Sequence, residues 1–328
     1  VELEFQDFSV SASGTSLGKR AVARDIFRRN GPIKSWLREF DVVLDTGAGD
    51  SFADIYGIRR LAMMAYTQNV AFGQGIPVYL TPQTIGPFNS RTGRVIGARS
   101  LKRVSGRLSR DGVSAEFAQS FGYPVHVRST DVVFALGMPS AAQARDVILN
   151  VSGLLWSPNP HVDYVMYRTE VTRLVLGLQD AGRTVALMAH VLENPSPDTD
   201  VHAIEELSAS LPGCEVVIPT GLDDARSVLA SAQVVIGSRM HACLNALSVG
   251  TPSVPWAYSR KFAPLFKAID WPVSIDLRSA ENPALTTLGM LREWPRKEQD
   301  MRIAPMLTRA ENQLQEAVTF LSGQERVA

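Results

Sequence analysis

Val234-Val235-Ile236-Gly237-Ser238-Arg239-Met240-His241 leads into the apolar run Ala242 to Val249, then Gly250-Thr251-Pro252, then Ser253 to Tyr258 and Ser259-Arg260-Lys261. The first four residues predict a buried parallel strand. Ser238 is the expected helix N-cap, because its hydroxyl can accept from a backbone N–H that the helix leaves open. The run to Val249 is apolar on nearly every face, and Gly250 and Pro252 predict its end. A second strand over Ser253 to Tyr258 and a second helix follow. This strand–helix–strand–helix order predicts an α/β sheet of parallel strands. In such sheets ligands bind beyond the carboxyl ends of the strands, where Arg239, His241 and Lys261 fall. An all-apolar helix has no need of an arginine and a histidine in its first turn. The opening of a helix offers free N–H groups and a positive dipole end. Together these residues read as one anion site.

The whole chain sets bounds on that reading. Its 328 residues suggest two domains at about 100–200 residues each. Lys plus Arg and Asp plus Glu both number 33, so no global field favours nucleic acid or an anionic surface. Cys214 and Cys243 sit in apolar segments, form no CxxC pair, and read as inert core thiols. No run of about 18 apolar residues is present to span a membrane, and no secretory leader pattern opens the chain. The expectation is a cytoplasmic, enzyme-sized protein, and Val1 in place of an initial Met suggests that its first residues are missing.

In the N-terminal part, Leu3 and Phe5 suggest a strand and Ser11 to Leu17 a loop. Arg20 to Arg29 and Ser35 to Phe40 suggest helices. Asp41 to Asp45 reads as a strand, with Thr46-Gly47-Ala48-Gly49-Asp50-Ser51-Phe52 as the turn after it. A dinucleotide fingerprint would need Gly or Ala where Phe52 stands, and no acidic residue ends a second strand at the right distance. A tight strand-to-helix turn facing a cleft fits better. Tyr56 to Gly73 reads as a helix and Pro77 to Thr81 as a strand. Gln83 before Gly86-Pro87 then has two roles open to it, cleft residue or loop cap. Ser90 to Arg103 reads as a basic amphipathic helix, Leu108 to Ser114 as a strand end and capped helix with Arg110 at its carboxyl end, and Val125 to Phe134 as strand material.

The junction is expected at Met138 to Arg145, giving domains 1–140 and 141–328. Beyond it strands are expected at Val147 to Val151, Thr184 to Ala189, Glu215 to Ile218 and Trp271 to Leu277. Helices are expected at His161 to Ala181, Val201 to Leu211, Asp223 to Ala232 and Pro295 to Leu321, the last interrupted by Pro305. Such alternation argues a parallel sheet covered on both faces. The fold expected is α/β, two Rossmann-like domains facing across a cleft, the last helix packing back on the first.

Several of these residues, in this order, resemble the polysaccharide pyruvyl transferases. They are Gln83…Ile85-Gly86-Pro87, Ser109-Arg110-Asp111…Ser114, Ser238-Arg239-Met240-His241-Ala242…Ala246…Gly250-Thr251-Pro252 and Tyr258…Lys261, within about residues 41–265. The resemblance implies a GT-B-like fold, with phosphoenolpyruvate as donor and a sugar of a glycan or glycolipid as acceptor. The product it implies is a pyruvate ketal across two hydroxyls. By position it implies donor contacts from Arg110, Arg239, Met240, His241 and Lys261, with His241, Arg239 and Lys261 catalytic. The strand and Gly-rich loop that often open the family are not found, and Ala48 and Asp50 stand where glycines are expected. Gln83, Asp50 and Ser51 are the residues read on the acceptor side.

The donor carries a phosphate and a carboxylate. Arginine offers either group two parallel bonds and lysine a point charge. Arg239 and Arg110 are thus expected to clamp the two anionic groups, Lys261 to neutralise the departing phosphate, and His241 to act as general acid or base. No residues stand at metal-ligand spacing, and neither metal nor cofactor is expected. A lipid-linked acceptor would add peripheral contact with the inner face of the membrane. Two other readings use the same residues. One is a GT-B glycosyltransferase holding the diphosphate of a nucleotide sugar. The other is a non-catalytic carbohydrate-binding member of the fold.

Overall fold

The computed structural model describes residues 19–140, 143–192, 198–293 and 296–323. The strand read at Leu3 and Phe5 and the loop read at Ser11 to Leu17 lie outside the described residues, as does Pro295. The chain divides into two compact units.

The first unit takes the described residues up to Asp131 and those from Gln315 onward. It runs α1 (Lys19–Ile26), α2 (Pro32–Leu37), β1 (Val43–Asp45), α3 (Ile58–Gly73), β2 (Val78–Gln83), α4 (Arg91–Arg103), β3 (Gly106–Ser109), α5 (Gly112–Ser120) and β4 (Val127–Arg128). These strands are parallel, in the order β1-β2-β3-β4. After β1 comes a single 3-10 turn, Gly47–Gly49, with all three residues left-handed at φ 55°, 45° and 78°. Glycine is required at 47, because a Cβ there would stand 1.6 Å from Oε1 of Gln83. The Phe52 side chain is fully buried and packs edge-on against Phe88 at 5.2 Å. An apolar ring thus occupies the position that a dinucleotide site would give to a glycine.

The second unit, Val132–Leu314, opens on a 3-10 turn at Val132–Ala135. It continues β5 (Arg145–Asn150), α6 (Gly153–Trp156), α7 (Tyr164–Asp180), β6 (Val185–Met188), α8 (Asp200–Ser210), β7 (Glu215–Val217), α9 (Leu222–Ala230), β8 (Ala232–Gly237), α10 (Met240–Ser248), β9 (Ser253–Ala257), α11 (Phe262–Ala268), β10 (Ile275–Asp276) and α12 (Pro283–Glu293). The final helix α13 (Arg296–Gly323) contains Pro305, and its end belongs to the first unit. There Phe320 stacks on His126 at 5.2 Å and meets Tyr79 edge-on at 6.4 Å.

The described strands of this unit are all parallel, in the order β7-β6-β5-β8-β9-β10. Side chains of a strand alternate between faces, and both faces are covered. Val147, Leu149, Val234 and Ile236 pack under α7, α8 and α12 with Leu174, Ile204 and Ala284. Ile148 and Val235 pack on the other face with Leu229 of α9 and Ala246 of α10. Chain order reverses between β5 and β8, and the crevice at such a switch point is where doubly wound sheets bind ligands.

Some sequence expectations need correcting. Arg239, not Ser238, is the N-cap of α10, with φ −89° and ψ 122°. The stretch Val125 to Phe134 holds only two strand residues, and Trp271 to Leu277 likewise. Helices α6 and α12 stand where the sequence pattern predicts none. Cys214 and Cys243 are free thiols, the latter fully buried, and burial pushes both thiols up. Among the described residues no helix is long and apolar enough to cross a membrane.

Candidate active site

The switch point is held by one asparagine. Asn150, at the end of β5, accepts the Ser238 N–H on its backbone carbonyl at 3.2 Å and the Arg239 N–H on Oδ1 at 2.9 Å. Its Nδ2 donates to the Met188 carbonyl at 3.0 Å, so one residue ties β5, β6 and the β8–α10 turn together. Gly237 permits the close approach, since a Cβ there would stand 2.9 Å from Sγ of Cys243. The Ser238 hydroxyl is fixed by the buried Tyr167, whose hydroxyl donates to it at 2.8 Å and accepts the Ser152 N–H at 3.0 Å. That bond is the reason Ser238 does not cap the helix.

Arg239 turns into a carboxylate cradle. Its Nε and Nη2 donate to Oδ1 of Asp200 at 2.9 and 2.8 Å, and Nη2 also reaches Oδ1 of Asp198 at 2.8 Å. Asp200 is completely buried. Its Oδ1 also accepts the Gly153 N–H, and its Oδ2 accepts Asn150 Nδ2 and the N–H groups of His190 and Val191, at 2.9 to 3.2 Å. Every group facing this carboxylate is a donor. Burial pulls the Arg239 guanidinium down, but Asp200 and Asp198 outweigh it and the net shift is upward.

Around this pair stand the other candidates. The Tyr258 phenol follows β9 and is raised, first by burial, against the lowering influence of the Arg239 and Lys261 cations. Lys261, half-buried, is the N-cap of α11. His190, two residues past the end of β6, lies under the influence of His241, Asp200 and Arg239. Its imidazole is lowered to about 4, first by burial and then by His241. His241 is exposed in the first turn of α10, where its carbonyl accepts Asn245 Nδ2 at 2.8 Å. Thus Tyr258 senses Arg239 and Lys261, and His190 senses Arg239 and His241. The N–H groups of Met240 and His241 open α10, where a helix has no internal acceptors for them. On the flank, His161 meets the Tyr258 ring at 5.3 Å and lines a cavity of about 510 Å³ with Met166 and Arg278.

Arg239, Met240, His241 and Lys261 therefore share the carboxyl edge of the second unit's sheet. Arg110, Gln83, Asp50 and Ser51 belong to the first unit. Arg110 is buried there, its Nη1 paired with Asp131 at 2.8 Å and its Nε donating to Oγ1 of Thr84 at 3.0 Å. Gln83 is the last residue of β2, fully buried, and donates from Nε2 to the Asp45 carbonyl at 2.7 Å. That is the loop-capping role. Asp50 accepts the Tyr56 hydroxyl at 2.6 Å, and Ser51 is buried, its N–H bonded to the Gly47 carbonyl at 2.7 Å. Asp111 caps α5 through the Ser114 N–H at 2.7 Å, and the Ser114 hydroxyl accepts the Ile85 N–H at 3.1 Å. Among the described residues no group of three His, Cys, Asp or Glu side chains is placed to hold a metal.

Sequence reasoning missed Asn150, Tyr167, His190, Asp198 and Asp200. His190 lies two residues past the end of β6, at the ligand-binding edge, where a histidine is a readable signal. Asp198 and Asp200 flank a Thr before an apolar helix, a pattern that reads as ordinary capping.

Solved structures similar to this chain include a protein from Listeria monocytogenes described as a UDP-N-acetylglucosamine 2-epimerase. It has a TM-score of 0.62 at 13% identity, over 96% of this chain and 82% of that one. The UDP-GlcNAc 2-epimerase from Neisseria meningitidis bound to UDP-GlcNAc scores 0.55 at 13% identity, over 87% and 78%. An α,α-trehalose 6-phosphate synthase from Burkholderia multivorans scores 0.52 at 9% identity, over 81% and 70%. At such identities the likeness concerns the fold alone, the GT-B type. No curated protein sequence matches the chain. The family model for polysaccharide pyruvyl transferase matches residues 14–260, and the chain belongs to that family.

Proposed function

We propose that the chain transfers pyruvate from phosphoenolpyruvate onto two hydroxyls of a sugar, closing a ketal. Both hydroxyl oxygens bond to the donor's C2 and the C2–O bond to phosphate breaks. One hydroxyl proton goes to the methylene, which becomes methyl, and the other leaves with inorganic phosphate. What supports this reading is that Arg239, Met240, His241 and Lys261 open the helices that follow β8 and β9, on the carboxyl edge of one sheet beside its switch point, in a chain of the pyruvyl transferase family.

Arg239 is committed through Nε and Nη2 to two carboxylates, so its charge is locally compensated. In this proposal it fixes the turn and offers the donor only its remaining edge. Lys261 and the Met240 and His241 N–H groups take the phosphate, since a helix start suits an anion. His241 is the proton carrier. The acceptor belongs to a glycan or glycolipid, and a lipid-linked form would bring the enzyme to a membrane surface.

The test is an acceptor screen reading phosphate release from phosphoenolpyruvate and product mass. One added pyruvate per acceptor supports the proposal. Protection of the fold against heat by UDP or GDP, and not by phosphoenolpyruvate, would favour a nucleotide-sugar donor instead.

A further inference from the structure

One face of the first unit is strongly basic, in a chain whose Lys plus Arg and Asp plus Glu balance. Helix α4 carries five Lys or Arg and no acidic residue, and α3 beside it adds Arg59 and Arg60, again with no acidic residue. The two helices touch where Arg103 donates to Asn69 and lies 5.2 Å over the Phe72 ring. Helical spacing puts Arg91, Arg94, Val95, Arg99 and Lys102 on one stripe of α4, and all five are exposed. The opposite stripe, Gly93, Gly97, Ser100 and Leu101, is buried. Gly97 lets the Phe88 ring press against the helix, since a Cβ there would stand 2.1 Å from that ring. The helix is thus seated by its small face, and the cationic stripe is held outward.

Among the described residues no carboxylate forms an ion pair with Arg91, Arg94, Arg99 or Lys102. Arg94 lies 5.1 Å over Phe121. The acidic group nearest the start of the helix, Asp54, accepts the N–H groups of Asn89 and Ser90 and the Ser90 hydroxyl. The stripe also has an apolar centre. Val95 is 68% exposed amid the cations of α4. A soluble polyanion would reward the cations and leave Val95 in water. A bilayer rewards both, because headgroups take the charges and the interface takes the apolar side chains.

We propose that the outward face of α3 and α4 docks the protein onto a bilayer bearing anionic headgroups. The inference fits a lipid-linked acceptor but stands apart from the donor chemistry. Its test is cosedimentation of the full chain with vesicles of phosphatidylcholine alone and of equimolar phosphatidylcholine and phosphatidylglycerol. Binding is expected to the mixture only, and to weaken as salt rises. Each cation near such a surface contributes roughly fivefold, so Arg94→Glu with Arg99→Glu should lower binding by well over tenfold. Val95→Asp should also weaken it, and a cooperative thermal transition read for each variant shows that it is folded, Arg94→Glu losing no more than the contact with Phe121 contributes. Turnover of a soluble acceptor, read in parallel, reports on the proposed reaction separately. Equal binding to both vesicle types would overturn the inference. So would undiminished vesicle binding by the double variant, or by Val95→Asp, the last result marking a general polyanion site.

Discussion

Asp200→Asn is the most revealing single change, because the substitution preserves shape and alters only hydrogen-bond polarity. Six donors face the wild-type carboxylate: Gly153 N–H, Arg239 Nε and Nη2 on Oδ1, and Asn150 Nδ2, His190 N–H and Val191 N–H on Oδ2. An asparagine offers one oxygen and one NH2. Whichever way it is turned, the NH2 confronts three donors, and the buried Arg239 loses its fully buried carboxylate partner. Removing one partner of a buried ion pair typically costs about 3–5 kcal/mol. Total stability is about 5–15 kcal/mol for a typical domain, so the loss should be plain in a urea unfolding curve as a lowered midpoint. Arg239→Met should be much less harmful when combined with Asp200→Asn than in the wild type, since the two residues act as one unit. A drop below about 1 kcal/mol for Asp200→Asn, the range of an exposed pair, would refute the cradle. Additive effects of the two changes would refute it as well.

Other outcomes follow from the same geometry. His190 is lowered to about 4 from its ordinary 6.5, so between those values the unfolded chain binds more protons than the native one. Stability from this group is complete above pH 6.5 and is lost as pH falls toward 4, by at most about 3 kcal/mol at 1.36 kcal/mol per unit. His190→Asn should flatten the wild-type slope of unfolding free energy over that window. Gly153→Ala would put a Cβ 2.0 Å from the Thr199 carbonyl oxygen. It should cost about 1–3 kcal/mol as overpacking does, and it should slow turnover by pushing Asp200 away from Arg239. Normal turnover by that variant would separate the α6 contact from the site.

The β–α unit that carries the candidate site is legible because local signals there agree. An apolar strand, a charged first turn and a left-handed stop at Gly250, with φ 82°, all point to one β–α unit. The parallel, two-unit architecture followed from strict alternation of strands and helices. Short edge strands were less legible. The residues Val127–Arg128 and Ile275–Asp276 are strands through pairing with β3 and β9, and that pairing leaves little trace in a run of two residues. The N-cap was misread because Ser238 is drawn away by Tyr167, a residue 71 positions distant. Arg239 looked like a free cation for the same reason. The carboxylates that hold it lie 39 and 41 positions away, and only the folded sheet edge brings them together.

In the proposed reaction phosphoenolpyruvate is consumed at this edge, with His241 carrying the proton. Steady-state phosphate release from phosphoenolpyruvate in the presence of a productive sugar acceptor, wild type against His241→Ala, tests it most directly. One phosphate should be released per pyruvate added, and the variant should lose roughly 10²–10⁴-fold in kcat while keeping its thermal protection by phosphoenolpyruvate. An unchanged kcat at saturating donor, with donor protection abolished, would contradict it.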